Sequence, residues 1–206
     1  MSEEVEYHAT YLFPQFLFCR REPNANWTKP EFVKDCLSFD YRKNGSNWVT
    51  LNTYVLDLPE FKELKDIIQD QLNKVFKDQY KLDGDKVQIY ITQSWLNVSD
   101  SDESHNQHRH PNSVLSGVVY IKTNEPDHIT FIDNNFNTRL NFGAEGIPPY
   151  QHVPVQSGDM LIFDSQLAHM VNPEKRKDKR VSLAFNTFIK GTLGSYHGLD
   201  EVKING

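Results

Sequence analysis

The feature that most limits the fold is a change of periodicity near residue 85. Before it, Phe61, Leu64, Ile67, Ile68, Leu72, Val75 and Phe76 recur at three and four residues, which lays one apolar stripe along a helix. After it come short β-type runs at 87–92, 95–98, 115–122, 128–132, about 150–155, 160–163 and 181–189. Turn chemistry separates them: Asn124-Glu125-Pro126-Asp127, Gly146-Ile147-Pro148-Pro149 and Ser157-Gly158-Asp159. Successive strands with no helix between them favour an antiparallel sandwich or barrel over a parallel sheet.

The first part of the chain supplies supporting pieces. Tyr11-Leu12-Phe13 and Phe16-Leu17-Phe18-Cys19 read as extended segments interrupted by Pro14, which suits an edge strand. Thr28 as cap, Pro30 in the first turn and Glu31 near the positive end of the dipole predict a helix running to about Tyr41 and stopping near Asn44-Gly45. Asp57 and Pro59 open the second helix, whose polar face of Lys, Asp and Gln places it on the outside of a sheet. A chain of 206 residues suits one sizeable core, so a single domain is expected. Its expected parts are supporting elements over about 1–84, a β core over about 85–192 and a tail over 193–206.

A net charge of −6 argues against a general nucleic-acid binder, which needs a concentrated basic face. The one dense basic run, Lys175-Arg176-Lys177-Asp178-Lys179-Arg180, reads as a solvated loop with Arg180 as its exception. Cys19 and Cys36 form no C-x-x-C pair and are too few for a disulfide framework, so reduced thiols and a cytoplasmic protein are expected. The acidic start Met1-Ser2-Glu3-Glu4-Val5-Glu6 lacks the basic and apolar regions of a signal peptide. No apolar run approaches the roughly 20 residues that span a bilayer.

The chemistry gathers around His108-Arg109-His110. Histidines at i and i+2 of an extended strand point the same way, so both imidazoles can face one metal ion. His169 is the best third ligand, because it follows the apolar run Met160-Leu161-Ile162-Phe163 and precedes a strand carrying Arg180. Three ligands on one face leave the other face open. Arg180 and Ser182 share a strand face, so a guanidinium fork and a hydroxyl can grip one carboxylate. A buried Arg without an anionic partner would be costly, and a ligand carboxylate would supply that partner. His8, His128, His152 and His197 stand isolated in the sequence and read as surface or core residues; His105 is out of phase with the pair.

The ordered set His108-x-His110, Ser116-Gly117-Val118-Val119-Tyr120, Gly158-Asp159, His169 and Arg180-x-Ser182 resembles the Fe(II)- and 2-oxoglutarate-dependent oxygenases, in particular the prolyl-hydroxylase-like branch and its small bacterial and phage relatives. The resemblance covers roughly residues 85 to 190. It implies a mainly β fold, a double-stranded β-helix or cupin-like jelly roll, here supported by the two N-terminal helices. It also implies His108 and His169 as iron ligands, Arg180 with Ser182 as the clamp on the distal carboxylate of 2-oxoglutarate, and Tyr120 as a second donor to that carboxylate. The family's first motif is usually His-x-Asp or His-x-Glu, and His110 stands at its second position. Either His110 completes a three-histidine triad, the reading favoured by strand phase and by the His-x-His-Pro form of short relatives, or a carboxylate such as Asp133 or Asp164 arrives from elsewhere.

The implied activity uses Fe(II), 2-oxoglutarate and O2 to hydroxylate a C–H bond of a small molecule or peptide, with a peptidyl or free amino acid as the narrower expectation. Succinate and CO2 would be released. Three histidines with an open position also describe a zinc hydrolase or an iron dioxygenase that uses no 2-oxoglutarate, and a non-catalytic jelly roll binding a sugar, peptide or anion is the remaining alternative. Segments 99–107 and 134–149 flank the expected site and are candidates for a lid. Trp95 and Asn186 are expected to serve packing.

Overall fold

The fold was obtained as a computed structural model, which describes residues 15–81, 84–133 and 149–205. Three layers stack: helices, a large antiparallel sheet, and a small antiparallel sheet. Strands β1 (Leu17–Arg21), β2 (Tyr41–Asn44), β3 (Asn47–Thr50), β4 (Val87–Ser99), β6 (Leu115–Lys122), β9 (Asp159–Asp164) and β11 (Arg180–Leu193) form the large sheet in the order β1-β9-β6-β11-β4-β3-β2. A short β12 (Val202–Ile204) pairs with the end of β11. Strands β5 (His105–His108), β10 (Ala168–Val171), β7 (His128–Ile132) and β8 (Tyr150–Pro154) form the small sheet in the order β5-β10-β7-β8. Two open sheets face to face are the jelly-roll arrangement, so the antiparallel sandwich read from the strand pattern and the jelly roll implied by the resemblance both hold.

Because side chains alternate across a strand, each central strand of the large sheet feeds two cores. On β9, Met160 and Ile162 pack toward the helices while Leu161 and Phe163 pack toward the small sheet. This double burial is why 160–163 reads as a continuous apolar run. On β11, Val181, Leu183 and Phe185 face the helices, which turns Arg180, Ser182 and Ala184 to the space between the sheets. On β4 the buried phase switches from odd residues (Val87, Ile89) to even ones (Leu96, Val98), and the register against β11 slips between Asn186 and Thr187. That bulge turns Trp95, Asn97 and Ser99 toward the same space.

The helical layer is α1 (Pro30–Leu37) and α2 (Lys62–Tyr80). Along α2, Leu64, Ile68, Leu72, Val75 and Phe76 are buried against the large sheet, as their spacing requires, and Phe61 is buried in the turn before it. The first helix is shorter than its sequence suggests. It ends at Leu37, and Tyr41 begins β2, its hydroxyl donating to the Cys36 carbonyl at 2.6 Å. Thr28 does not cap it; its hydroxyl donates to the Ala25 carbonyl in a preceding turn. Asn44-Gly45 marks a hairpin between β2 and β3, with Gly45 at φ +63°, and not a helix end. Segment 11–14 lies outside the described residues. Among the described residues no helix is long and apolar enough to cross a membrane.

Two close approaches fix the centre. Gly158 (φ +93°) lets the chain turn tightly into β9, where Arg21 holds the fully buried Asp159 carboxylate with bonds of 2.9 and 3.0 Å. At Gly117 a Cβ would run into the Phe185 ring and approach the Leu161 carbonyl oxygen to 2.6 Å. Gly117→Ala is therefore expected to destabilise the protein by about 1–3 kcal/mol or more through overpacking. Thermal unfolding at neutral pH would read this, and an unchanged midpoint would contradict the packing described for β6 and β11.

Candidate metal centre and anion pocket

The two sheets contribute different chemistry to the cleft between them. The small sheet carries imidazoles. His108 ends β5 and pairs in register with His169, in the middle of β10. His110 lies just past β5, where its backbone N–H donates to the Ser165 carbonyl at 3.0 Å. The ligand atoms of His108, His110 and His169 lie within 4.8 Å of one another. His169 and His110 are 3 % and 7 % exposed, and their Nε2 atoms approach to 3.3 Å.

Backbone carbonyls orient this group. The Nδ1–H of His108 donates to the Asn106 carbonyl at 2.8 Å, and that of His169 to the Leu167 carbonyl at 2.9 Å, which leaves Nε2 of each with its lone pair free. Burial, the principal cause, lowers the pKa of all three, to about 3 for His110 and about 4 for His169. Three neutral imidazoles gathered around one point, two of them with Nε2 unprotonated, are a donor set suited to a divalent transition metal. Among the described residues no carboxylate joins them. Asp164 instead caps its own turn, accepting from the Gln166 N–H at 2.8 Å.

His105 is closer to the site than its sequence phase suggests. Its ring stacks on His108 at 4.2 Å and it lines the cleft, with its pKa pushed down to about 3, chiefly by burial. The residues 99–104 that precede it are clamped to the basic run. Lys175 reaches Asp102 and Lys179 reaches Asp100, both at 2.7 Å, while Arg176 donates to the carbonyls of Asp100 and Glu103. The first part of the 99–107 stretch, read as a lid, is thus tied down; of the other candidate, 134–149, residues 134–148 lie outside the described residues. His128 and His152 also prove not to be isolated, their rings meeting at 4.7 Å on β7 and β8.

Depressed histidine pKa values make the metal-free protein acid-sensitive. An unfolded histidine titrates near 6.5, so acid protonates the unfolded chain first. The stabilisation is complete above about pH 6.5 and is lost as pH falls toward the folded values of about 3 to 4. Each such histidine contributes a slope of up to about 1.4 kcal/mol per pH unit in that window. Denaturant unfolding of metal-free protein between roughly pH 7 and 5 should show this fall, with a shallower slope in His105→Gln. A flat profile would contradict the burial of these rings.

The large sheet carries the groups for an anion. Tyr120, Ser182 and Asn97 lie directly opposite one another on β6, β11 and β4, and Arg180 lies opposite Ser99. Beside them runs an apolar row of Val118, Ala184 and Trp95, the last with its ring 5.9 Å from His110. Arg180 is 4 % exposed, and its anionic partner belongs to the protein itself: Nε donates to Asp127 Oδ2 at 2.8 Å. Where a ligand carboxylate was expected to supply that partner, a carboxylate of the protein already does so. Need for a ligand acceptor remains, since Arg180 Nη2 and the Tyr120 hydroxyl are buried with no hydrogen-bond partner. Arg180 Nη1 donates to Ser182 Oγ at 3.4 Å, and the guanidinium lies 5.1 Å from the Tyr120 ring centre. Unmet donors lining the pocket fit an anion, and the three imidazoles fit a metal. Asn186 stays in the packing role expected of it, accepting from Ser116 Oγ.

A family model described as putative 2OG-Fe(II) oxygenase matches residues 93–186, the span that contains all three converging imidazoles and the anion pocket. Over that span, just under half of the chain, the sequence matches the Fe(II)- and 2-oxoglutarate-dependent oxygenases. The chain is similar in fold to HygX from Streptomyces hygroscopicus, solved with nickel, 2-oxoglutarate and hygromycin B: identity is 14 %, coverage 83 % of this chain and 82 % of that one, and the TM-score 0.58. A prolyl-4-hydroxylase from Pseudomonas putida is 13 % identical over 82 % and 91 % of the two chains, with a TM-score of 0.55. The carbocyclase SnoK of nogalamycin biosynthesis is 12 % identical over 90 % and 85 %, with a TM-score of 0.60. At these identities the likeness is one of fold. No curated protein matches the chain by sequence.

Proposed function

We propose that this protein hydroxylates a C–H bond of a small-molecule substrate, holding Fe(II) on His108, His110 and His169 and 2-oxoglutarate on Arg180, Ser182 and Tyr120. One observation carries this reading: a converging imidazole triad and a buried, partly unsatisfied guanidinium occupy facing walls of one cleft. Iron bound with 2-oxoglutarate and O2 supplies the oxidising chemistry, with succinate and CO2 as by-products.

The protein's own part is to bind and orient. His108 and His169 present Nε2 because each Nδ1–H is committed to a carbonyl. Arg180 and Tyr120 offer the donors that a distal carboxylate accepts, which favours an anionic co-substrate and disfavours a plain zinc hydrolase. Trp95, Val118 and Ala184 keep water from the metal side of the cleft. A neutral His110 in place of a carboxylate leaves the centre one unit more positive, which strengthens its hold on an anion. An amino-acid side chain, free or in a peptide, is the narrower form of the substrate assignment. Free thiols at Cys19 and Cys36 support a cytoplasmic setting.

The test is anaerobic addition of Fe(II), then 2-oxoglutarate, to metal-stripped protein. The proposal expects a visible charge-transfer band that His110→Ala abolishes or displaces. Tight zinc binding with no such band, or no metal binding, would overturn it.

A further inference from the structure

Asp127 enters β7 from the turn at Pro126 and is only 4 % exposed. Its Oδ2 pairs with Arg180 Nε at 2.8 Å, with side-chain exposures of 2 % and 5 %, and its Oδ1 has no partner. Asp127 stands behind Arg180, whereas Arg180, Ser182 and Tyr120 line the cleft itself. A further charged group that acts on this pair is Arg176, half-buried and donating to the carbonyls of Asp100, Glu103, Asn172 and Glu174. The guanidinium assigned to the co-substrate is thus neutralised before any ligand arrives.

We propose that Asp127 is a resident counter-ion that competes with the co-substrate's distal carboxylate for Arg180 and thereby sets the affinity for 2-oxoglutarate; this rests on the function assigned above. An incoming carboxylate must share a desolvated guanidinium with a like charge already on it, and like charges interact strongly where water is excluded. Arg180 has two further supports, the Ser182 hydroxyl and the Tyr120 ring, so its direction does not depend on the Asp127 charge alone. Asparagine at 127 keeps an oxygen to accept from Nε and removes only the charge. The substitution then has two opposite effects. The empty protein becomes less stable, because Arg180 is buried without a counter-ion, and 2-oxoglutarate binds more tightly, because it becomes that counter-ion.

The experiment is anaerobic titration of Fe(II)-loaded wild type and Asp127→Asn with 2-oxoglutarate, following the charge-transfer band, with thermal unfolding measured in parallel. Expected are a dissociation constant about tenfold lower in the variant, equivalent to one pK unit of relieved repulsion, and a larger rise in Tm on adding ligand. Equal or weaker binding in the variant overturns the proposal, since an aspartate that merely positions Arg180 would give that result. Should the variant not fold alone, metal with millimolar 2-oxoglutarate must restore a cooperative transition, and failure to restore it also overturns the proposal. A wild type that gives no band at any concentration fails earlier, at the assigned function; a wild type that binds normally beside an unchanged variant removes only the role of Asp127.

Discussion

His169→Ala is expected to abolish metal binding and product formation while leaving the protein folded. His169 sits on β10 between β5 and β7, so it faces His108 in register and approaches His110 Nε2 to Nε2 at 3.3 Å. Removing it leaves two imidazoles, and no described carboxylate stands ready to replace it. The loss in affinity should exceed the roughly 10–100-fold that follows from removing only a ligand's hydrogen-bond partner. Folding should survive because the ring is flanked by the apolar faces of Phe131 and Phe163, at 6.0 and 4.9 Å, and because a buried neutral imidazole is itself a liability in acid. Equilibrium dialysis against Fe(II) or Mn(II), with circular dichroism as the folding control, would check this. Retention of wild-type metal affinity in the variant would remove His169 from the ligand set.

The second large effect concerns Arg180, where stability and binding can be separated. Arg180→Leu should lose the 2-oxoglutarate charge-transfer band and also cost about 3–5 kcal/mol of stability, because it strands the Asp127 carboxylate in a site that is 2 % exposed. The double variant Arg180→Leu with Asp127→Leu should regain most of that stability, since a buried ion pair replaced by apolar groups of similar volume is often neutral or better. It should regain none of the binding. Recovery of both properties would mean that 2-oxoglutarate does not depend on this guanidinium.

Much of the frame was legible because it is written locally. The three-and-four spacing from Phe61 to Phe76 and the β-type runs at 115–122 and 128–132 set element type without help from distant residues. The β2–β3 hairpin was missed because Asn44-Gly45 serves equally as a helix stop and as a hairpin turn, and the exposed polar strand Tyr41–Asn44 carries no apolar alternation. His169 was singled out, but its strand, only four residues long, was not. The converging imidazoles could be anticipated from their spacing and from the family pattern. Asp127 could not, because it reads as a turn residue and its partner lies 53 positions away. One long-range signal does lie in the sequence: an acidic run at 100–103 and a basic run at 175–180 are complementary in charge, and they meet.

The division of labour between the sheets makes the cleft a caliper. Imidazoles sit on one jaw and the guanidinium on the other, so any molecule bound by both measures the gap between β10 and β11. That gap is set by apolar spacers, among them Phe131 of the small sheet packed edge-to-face on Phe163 of the large one at 5.1 Å. Trimming the spacer with Phe131→Leu alters no polar atom of the site, yet it resets the width of the jaws. On the site proposed above, the length of co-substrate accepted should follow this hydrocarbon filling as much as the ligands, and 2-oxoadipate, one methylene longer, is the gauge with which to read it.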